Sequence, residues 1–373
     1  MSKDLILLTP GPLTTSAATK QAMLHDWGSR DKSFIDTNAR VREQILAIAN
    51  AGDDHVCVPL QGSGTFVVEA VLGTVIPRHA KSLVLINGAY GKRMVRMLEI
   101  MGRAFATLET PEDTPPTAQA LDAALAGDGD ITHVLAVHCE TTSGILNPIE
   151  EISDVTAKHG RHLIIDAMSA FGAIPIDAGR TPFDALMASA NKCLEGVPGL
   201  GFAIVRRQVL EAAEGNAHSL SLDLFDQWRA MEGNGQWRFT PPTHLIFALA
   251  EALNQFAAEG GAEARGRRYA ENCRILTDGM RAMGFRTLLS DNLQAPIIVT
   301  FHMPADPRFR FQEFYDSLRA KGFVIYPGKL TVADTFRIGC IGNLGADEMR
   351  AALDAIGQTI KEMGVETGAP AAD

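Results

Sequence analysis

Between residues 55 and 206, short β-branched runs alternate with longer amphipathic segments, and this restricts the fold more than any other feature of the chain. Parallel strands need a crossover of a dozen or more residues, so a repeated strand–helix alternation implies a mostly parallel sheet with helices on its faces. The runs at 82–86, 133–137, 162–165, 185–188 and 201–205 read as strands. Amphipathic stretches at 65–76, 90–101, 117–125 and 149–159 read as the helices between them. In such open α/β sheets, ligand sites gather at the carboxyl ends of the strands.

The periodicity weakens between 215 and 242, and Thr240-Pro241-Pro242-Thr243 stops any regular element before an apolar helix at 245–258. That helix and the next, 263–283, lead into a second unit. It reads as strand 297–301, helix 311–321, strands 323–326 and 335–339, and a closing helix 346–363, a small α+β arrangement. The Ala-, Gly- and Pro-rich tail, 364–373, is expected to fray.

Length and composition narrow the function. With 373 residues, a net charge of −10, 46% hydrophobic and 21% charged residues, the chain reads as a soluble globular protein of about two domains. Its acidic balance weighs against a nonspecific nucleic-acid binder. No apolar run is long enough to span a membrane, and Leu5-Ile6-Leu7-Leu8 stops at Thr9-Pro10 without the flanks of a signal peptide. Five widely spaced cysteines, without a CxxC pair, point to a reduced cytoplasmic protein lacking a structural metal.

Three features could carry chemistry. Gln61-Gly62-Ser63-Gly64-Thr65 opens a helix, where backbone N–H groups and the helix dipole favour an anion such as phosphate; the same small-residue turn also serves as an ordinary cap. Asp166 ends an apolar strand, so its carboxylate sits at the strand's carboxyl edge, either as a loop cap or as the partner of a cofactor's ring nitrogen. Lys192 follows the strand 185–188; most lysines are solvated, but one at a strand mouth can be desolvated until its neutral amine attacks a carbonyl. All three are expected on one edge of one sheet.

The order of these segments, with Asn87-Gly88-Ala89-Tyr90-Gly91, His138-Cys139-Glu140-Thr141-Thr142-Ser143-Gly144 and Asp166-Ala167-Met168-Ser169, resembles the class V, fold-type I pyridoxal-phosphate aminotransferases over nearly the whole chain. The resemblance implies a large cofactor-binding domain with a mostly parallel sheet, 16–260, and a smaller C-terminal α+β domain, 261–363. An N-terminal segment, 1–15, would line the active site. It implies pyridoxal 5'-phosphate held covalently by Lys192, which also shuttles the proton, with Asp166 pairing to the pyridine nitrogen. Ser63, Gly64 and Thr65 would bind the cofactor phosphate, and Tyr90, at a place where the family commonly has Trp, would stack on the ring. Thr141 or Thr142 would reach the ring hydroxyl. Thr243, with Thr240, would reach the phosphate of a neighbouring subunit, implying a homodimer with shared sites.

Three further segments, Leu8-Thr9-Pro10-Gly11-Pro12-Leu13-Thr14-Thr15-Ser16, Asp26-Trp27-Gly28-Ser29-Arg30-Asp31 and Thr240-Pro241-Pro242-Thr243-His244, resemble the branch of that family acting on 2-aminoethylphosphonate and pyruvate. The substrate anion clamp implied is Arg337, whose planar fork suits a phosphonate or a carboxylate, with Pro12 and Arg30 completing the pocket. Without the resemblance Arg337 reads as a surface-paired arginine. The nearest rival is an alanine:glyoxylate or serine:pyruvate aminotransferase of the same family. A cysteine desulfurase, or an inert binding protein on the same fold, fits the residues less well.

Overall fold

Seven strands pair into one sheet, all but β3 made of largely buried, mainly apolar residues: β1 (His55–Gln61), β2 (Lys81–Ile86), β3 (Ala104–Glu109), β4 (Ile131–Val137), β5 (His162–Asp166), β6 (Ala185–Ser189) and β7 (Leu200–Arg206). This computed structural model describes residues 4–328 and 333–371. Residues 1–3 of the expected N-terminal segment and 372–373 of the expected tail lie outside it. The strand order is β1-β7-β6-β5-β4-β2-β3. Only β7 runs against its neighbours. Both faces are covered by apolar clusters, as a mostly parallel sheet requires.

The five strands expected from the sequence are all present, and β1 and β3 are added at the two edges of the sheet. Their sequences conceal them for physical reasons. β1 contains Pro59, which lacks an N–H, and such a residue is tolerated in a sheet mainly at an edge. β3 is more exposed than the strands inside the sheet and never shows a continuous apolar run. Four helices also emerge where no helix was expected: the short Ala17–Gln21 and Arg207–Glu211, and the longer Lys32–Ile48, capped by the Asp31 side chain, and Leu224–Asn234, capped by Asp223.

The C-terminal residues build a three-stranded antiparallel sheet from β8 (Ile298–His302), β9 (Tyr326–Pro327) and β10 (Thr335–Gly339), in the order β8-β10-β9. The expected single strand at 323–326 is instead split. Phe323–Val324 pairs in parallel with Ile6–Leu7, and only Tyr326–Pro327 joins the sheet. The N-terminal segment is thereby tied to this unit, and Gly339 N adds a hydrogen bond to Leu8 O at 2.9 Å.

In β10, Phe336 and Ile338 point into an aromatic core, where Phe336 lies 5.6 Å from Phe301 and 5.6 Å from Phe314 between ring centroids. Strand alternation then turns Arg337 to the opposite face, toward the large sheet. The tail does not fray over its described part. Gly368 N donates to Met283 O at 2.9 Å, Ala305 N donates to Ala369 O at 2.8 Å, and Val365 is buried.

Candidate active site

The carboxyl ends of β1, β5 and β6 converge on a cavity of about 310 Å3. It is lined by Ser63, Gly64 and Thr65 after β1, Asp166 at the end of β5 and Lys192 after β6, with Tyr90 and Arg93 from the Ala89–Met101 helix. Gly11 and Pro12 of the N-terminal segment close one side. Residues 130 apart in sequence meet here because each parallel strand delivers its loop to the same edge.

Lys192 follows β6 in a tight turn in which Glu195 N donates to Lys192 O at 2.8 Å and Gly196 N to Ala190 O at 2.8 Å. Its Nζ donates to Pro10 O at 2.6 Å, and no carboxylate among the described residues lies within ion-pair distance. Burial therefore pushes its pKa down to about 8, against the pull of Cys193 and Asp166. The close approach depends on Gly11, whose φ is +107°. A Cβ there would stand 2.6 Å from Lys192 Cδ and 2.8 Å from Asn191 O.

Asp166 is 3% exposed and accepts a hydrogen bond from Met168 N at 3.0 Å. Burial pushes its pKa up to about 6, with the Met168 N–H, Arg93 and Lys192 partly opposing. An acid and an amine thus share one cavity with their pKa values drawn toward neutrality, a pattern typical of reactive sites.

At the opening of the Gly64–Val75 helix, Ser63 is the N-cap but its side chain makes no capping bond. Ser63, Gly64 and Thr65 all line the cavity, so this helix start meets it without a side-chain cap. A second helix start lies nearby at Gly88. There the fully buried Glu140 accepts from Tyr90 N and Thr142 N, both at 3.0 Å, and from Thr142 Oγ1 at 2.5 Å. A Cβ at Gly88 would sit 2.4 Å from Glu140 Cδ, so this glycine makes room for the carboxylate. Thr142 Oγ1 also accepts from Ala89 N at 3.0 Å. Thr141 Oγ1, by contrast, is buried without a hydrogen bond of good geometry, although the Tyr90 phenol lies beside it.

Arg337 is 6% exposed. Its Nη1 donates to Thr141 O at 2.7 Å and its Nε to Pro327 O at 3.1 Å, so backbone carbonyls hold it, and no carboxylate among the described residues pairs with it. Burial draws its pKa below the ordinary value, partly offset by Tyr90, Tyr326 and Glu140. It is not among the residues that line the cavity, but it stands close enough to Lys192 to help lower the pKa of that amine.

Three residues expected at the site are placed elsewhere in this chain. Arg30 is exposed and off the cavity lining. Its segment is anchored by the Asp31 cap and by Trp27, whose ring stacks on Phe247 at 3.7 Å. Thr240 lines a separate cavity with Phe66 and Trp237, and Thr243 begins the Thr243–Glu259 helix beside His244. Conversely, Glu140 and Arg93 received no role from the sequence. Arg93 was within reach: it stands three residues after Tyr90 on an amphipathic helix, hence on the same face.

A family model for class-V aminotransferases matches residues 14–332. The chain belongs to the class-V aminotransferase family. It is 58% identical over 365 residues, 98% of this chain and 99% of the relative, to a 2-aminoethylphosphonate–pyruvate transaminase of Pseudomonas putida. A Pseudomonas aeruginosa protein of the same name is 57% identical over 360 residues, covering 96% of this chain and 97% of its own. Among solved structures, pyridoxamine–pyruvate aminotransferase from Mesorhizobium loti superposes with a TM-score of 0.88 at 25% identity, covering 98% of this chain and 95% of that one. Ureidoglycine–glyoxylate aminotransferase from Bacillus subtilis gives 0.90 at 21% identity, with 98% and 95% covered, and shares the fold.

The cavity fits the pyridoxal phosphate on which this family of enzymes depends. It offers an amine without a counter-ion, a buried acid, an uncommitted helix start and, beside the Tyr90 phenol, the orphaned Thr141 hydroxyl.

Proposed function

We propose that this class-V aminotransferase transfers the amino group of 2-aminoethylphosphonate to pyruvate, giving phosphonoacetaldehyde and alanine. The observation that carries this is the grouping of Lys192, Asp166 and the Ser63–Thr65 helix start around one cavity, in a chain 58% identical to transaminases of that name. Pyridoxal phosphate, when bound, supplies an electron sink for the charge left when the substrate carbon loses its proton. Lys192 would hold it through Nζ, Ser63, Gly64 and Thr65 would take its phosphate, Tyr90 would lie against its ring, and Thr141 would bond its hydroxyl.

The chain's own groups then divide the work. Lys192, with a pKa near 8, is close enough to neutrality for Nζ to take a proton from the substrate carbon and return it. Asp166 presents a carboxylate to a ring N–H and keeps that nitrogen protonated. Arg337 is the cation for both substrates in turn, since a phosphonate and a carboxylate each present paired oxygens to its fork. The buried wall formed by Glu140, Thr142 and the Tyr90 backbone fixes the Ala89–Met101 helix, and with it the Tyr90 ring.

Thr240 and Thr243 lie away from this chain's cavity, and we assign them to the site of a partner copy in a homodimer. No helix among the described residues is long and apolar enough to cross a membrane. The five cysteines are free and buried, which suits the reducing cytoplasm where we place the enzyme.

The test is a visible spectrum of the cofactor-loaded protein, with 2-aminoethylphosphonate added in one cuvette and alanine in another, without a second substrate. Conversion of the cofactor band by both supports the assignment. Response to alanine but not to the phosphonate shifts the function to a carboxylate-only aminotransferase, and absence of any cofactor band overturns the enzyme reading.

A further inference from the structure

The cavity holds one cation that the functions assigned above leave unused. Arg93 lies on the lining, three residues beyond Tyr90, and its guanidinium carbon stands 4.9 Å from the centroid of the Tyr90 ring. This cation–π contact holds the flat head against an aromatic face without consuming its in-plane donors. Among the described residues, one of its five N–H donors is used, Nη1 to Thr65 Oγ1 at 3.3 Å, and no carboxylate pairs with it. The Ser63–Thr65 helix start contributes backbone dipoles and hydroxyls but no charge. Phosphorus oxyanions carry up to two negative charges at neutral pH, and a guanidinium fork matches their oxygen geometry. Lys192, the other cation on the lining, is committed to Pro10 O.

We propose that Arg93 is the cationic half of a phosphorus-oxyanion site whose neutral half is the Ser63–Thr65 helix start. Arg93 bridges the two, touching Thr65 through Nη1 and presenting its remaining N–H groups to the cavity. The oxyanion is the phosphate of the cofactor or the phosphonate of the amino donor, which share this chemistry. The inference rests on the cofactor-dependent reading above, and its test separates the two.

The cofactor-depleted full chain is titrated with pyridoxal phosphate and with pyridoxal, which lacks the phosphate, in the wild type, Arg93→Gln and Arg93→Lys. Loss of a charge-assisted bond should weaken pyridoxal phosphate about 10- to 100-fold in Arg93→Gln, leave pyridoxal within about twofold, and be partly restored by lysine. The second arm measures KM for 2-aminoethylphosphonate and for pyruvate at saturating cofactor. A rise for the phosphonate alone, with cofactor affinity intact, assigns the oxyanion to the substrate. Equal weakening of pyridoxal and its phosphate, or no change in either arm, overturns the role of Arg93. Failure of the wild type to bind either form would instead overturn the cofactor reading itself.

Discussion

Two clusters of buried charge lie a few residues apart in this chain and are built on opposite rules. Around the Gly261–Ala282 helix, Glu195 and Glu259 meet Arg265 and Arg268, and every charge has an opposite partner. Arg268 reaches Glu195 at 2.7 Å and Glu259 at 2.8 Å, Arg265 reaches Glu259 at 2.8 Å, and Tyr269 donates to Glu195 at 2.5 Å. The cluster also grips backbone on both sides, from Arg265 to Cys193 O at 2.8 Å and from Arg268 to Gly342 O at 2.6 Å. It thus braces the turn bearing Lys192 against the loop that follows β10. In the cavity, among the described residues, Lys192 donates to carbonyls and Asp166 accepts from an amide. The charges of the first cluster are paired, whereas the two to which we assign the chemistry are buried without an ion-pair partner among the described residues and have pKa values drawn toward neutrality.

The strongest way to break this contrast is Lys192→Ala. The variant should fold, because Nζ supports nothing but a bond to Pro10 O, and it should lose turnover roughly 10^4-fold or more. Circular dichroism and single-turnover kinetics check the two halves. Retained turnover would leave Lys192 an ordinary buried lysine.

Glu195→Ala probes the paired cluster. Removing one member leaves Arg265 and Arg268 sharing Glu259, one positive charge in excess, and takes the acceptor of the buried Tyr269 hydroxyl, and should cost about 3–5 kcal/mol in denaturant unfolding. A cost below about 1 kcal/mol would mean that Glu259, and not Glu195, satisfies these arginines.

The sheet edge was legible in the sequence because it depends on local signals. Asp166 ends an apolar run, Gly62 and Gly64 flank a helix start, and Lys192 follows a strand, so one rule about strand ends placed all three. The paired cluster was not legible, because Glu195 and Arg268 are 73 residues apart and each looks like a surface charge in its own window. The same blindness hid Glu140, whose burial depends on Gly88 fifty residues earlier. Arg30 stands off this chain's cavity lining for a related reason: a motif fixes residue order, whereas the stacking of Trp27 on Phe247 decides where its segment lies.

Asp166→Asn sharpens the comparison through pH. The pKa of Asp166 is raised from 3.8 to about 6, so between pH 4 and 6 the folded state binds the extra proton and stability falls as pH rises. Above pH 6 the full cost is present, about 3 kcal/mol by linkage. The asparagine variant should therefore unfold at a higher temperature than the wild type at pH 7, with the gain shrinking toward pH 4, while turnover is lost. Glu259 behaves in the opposite sense. Burial pushes its pKa up, but hydrogen bonds from Arg268 and Arg265 outweigh this and leave it lowered. Its stabilisation is present at neutral pH and fades as pH falls through that lowered value, so Glu259→Gln should lose stability at pH 7 and converge on the wild type in acid. Thermal melts across pH 4–7 read the first, and their extension below pH 4 reads the second.

The smallest effect separates two adjacent threonines. Thr142 belongs to the paired kind: its hydroxyl donates to Glu140 and accepts from Ala89 N, so Thr142→Val takes one bond from the buried Glu140 and the acceptor from the part-buried Ala89 N, and should cost about 1–3 kcal/mol of stability. Thr141 belongs to the other kind, its buried hydroxyl meeting only the Tyr90 phenol among the described residues and without good geometry, so Thr141→Val should change the stability of the cofactor-free chain by less than about 1 kcal/mol. Its loss should appear instead as cofactor affinity weakened roughly 2- to 10-fold, the worth of one hydrogen bond. If Thr142→Val weakened the cofactor at unchanged stability and Thr141→Val did not, the ring hydroxyl would belong to Thr142, and an unfilled hydrogen bond would no longer distinguish the groups that meet ligand from those that meet protein.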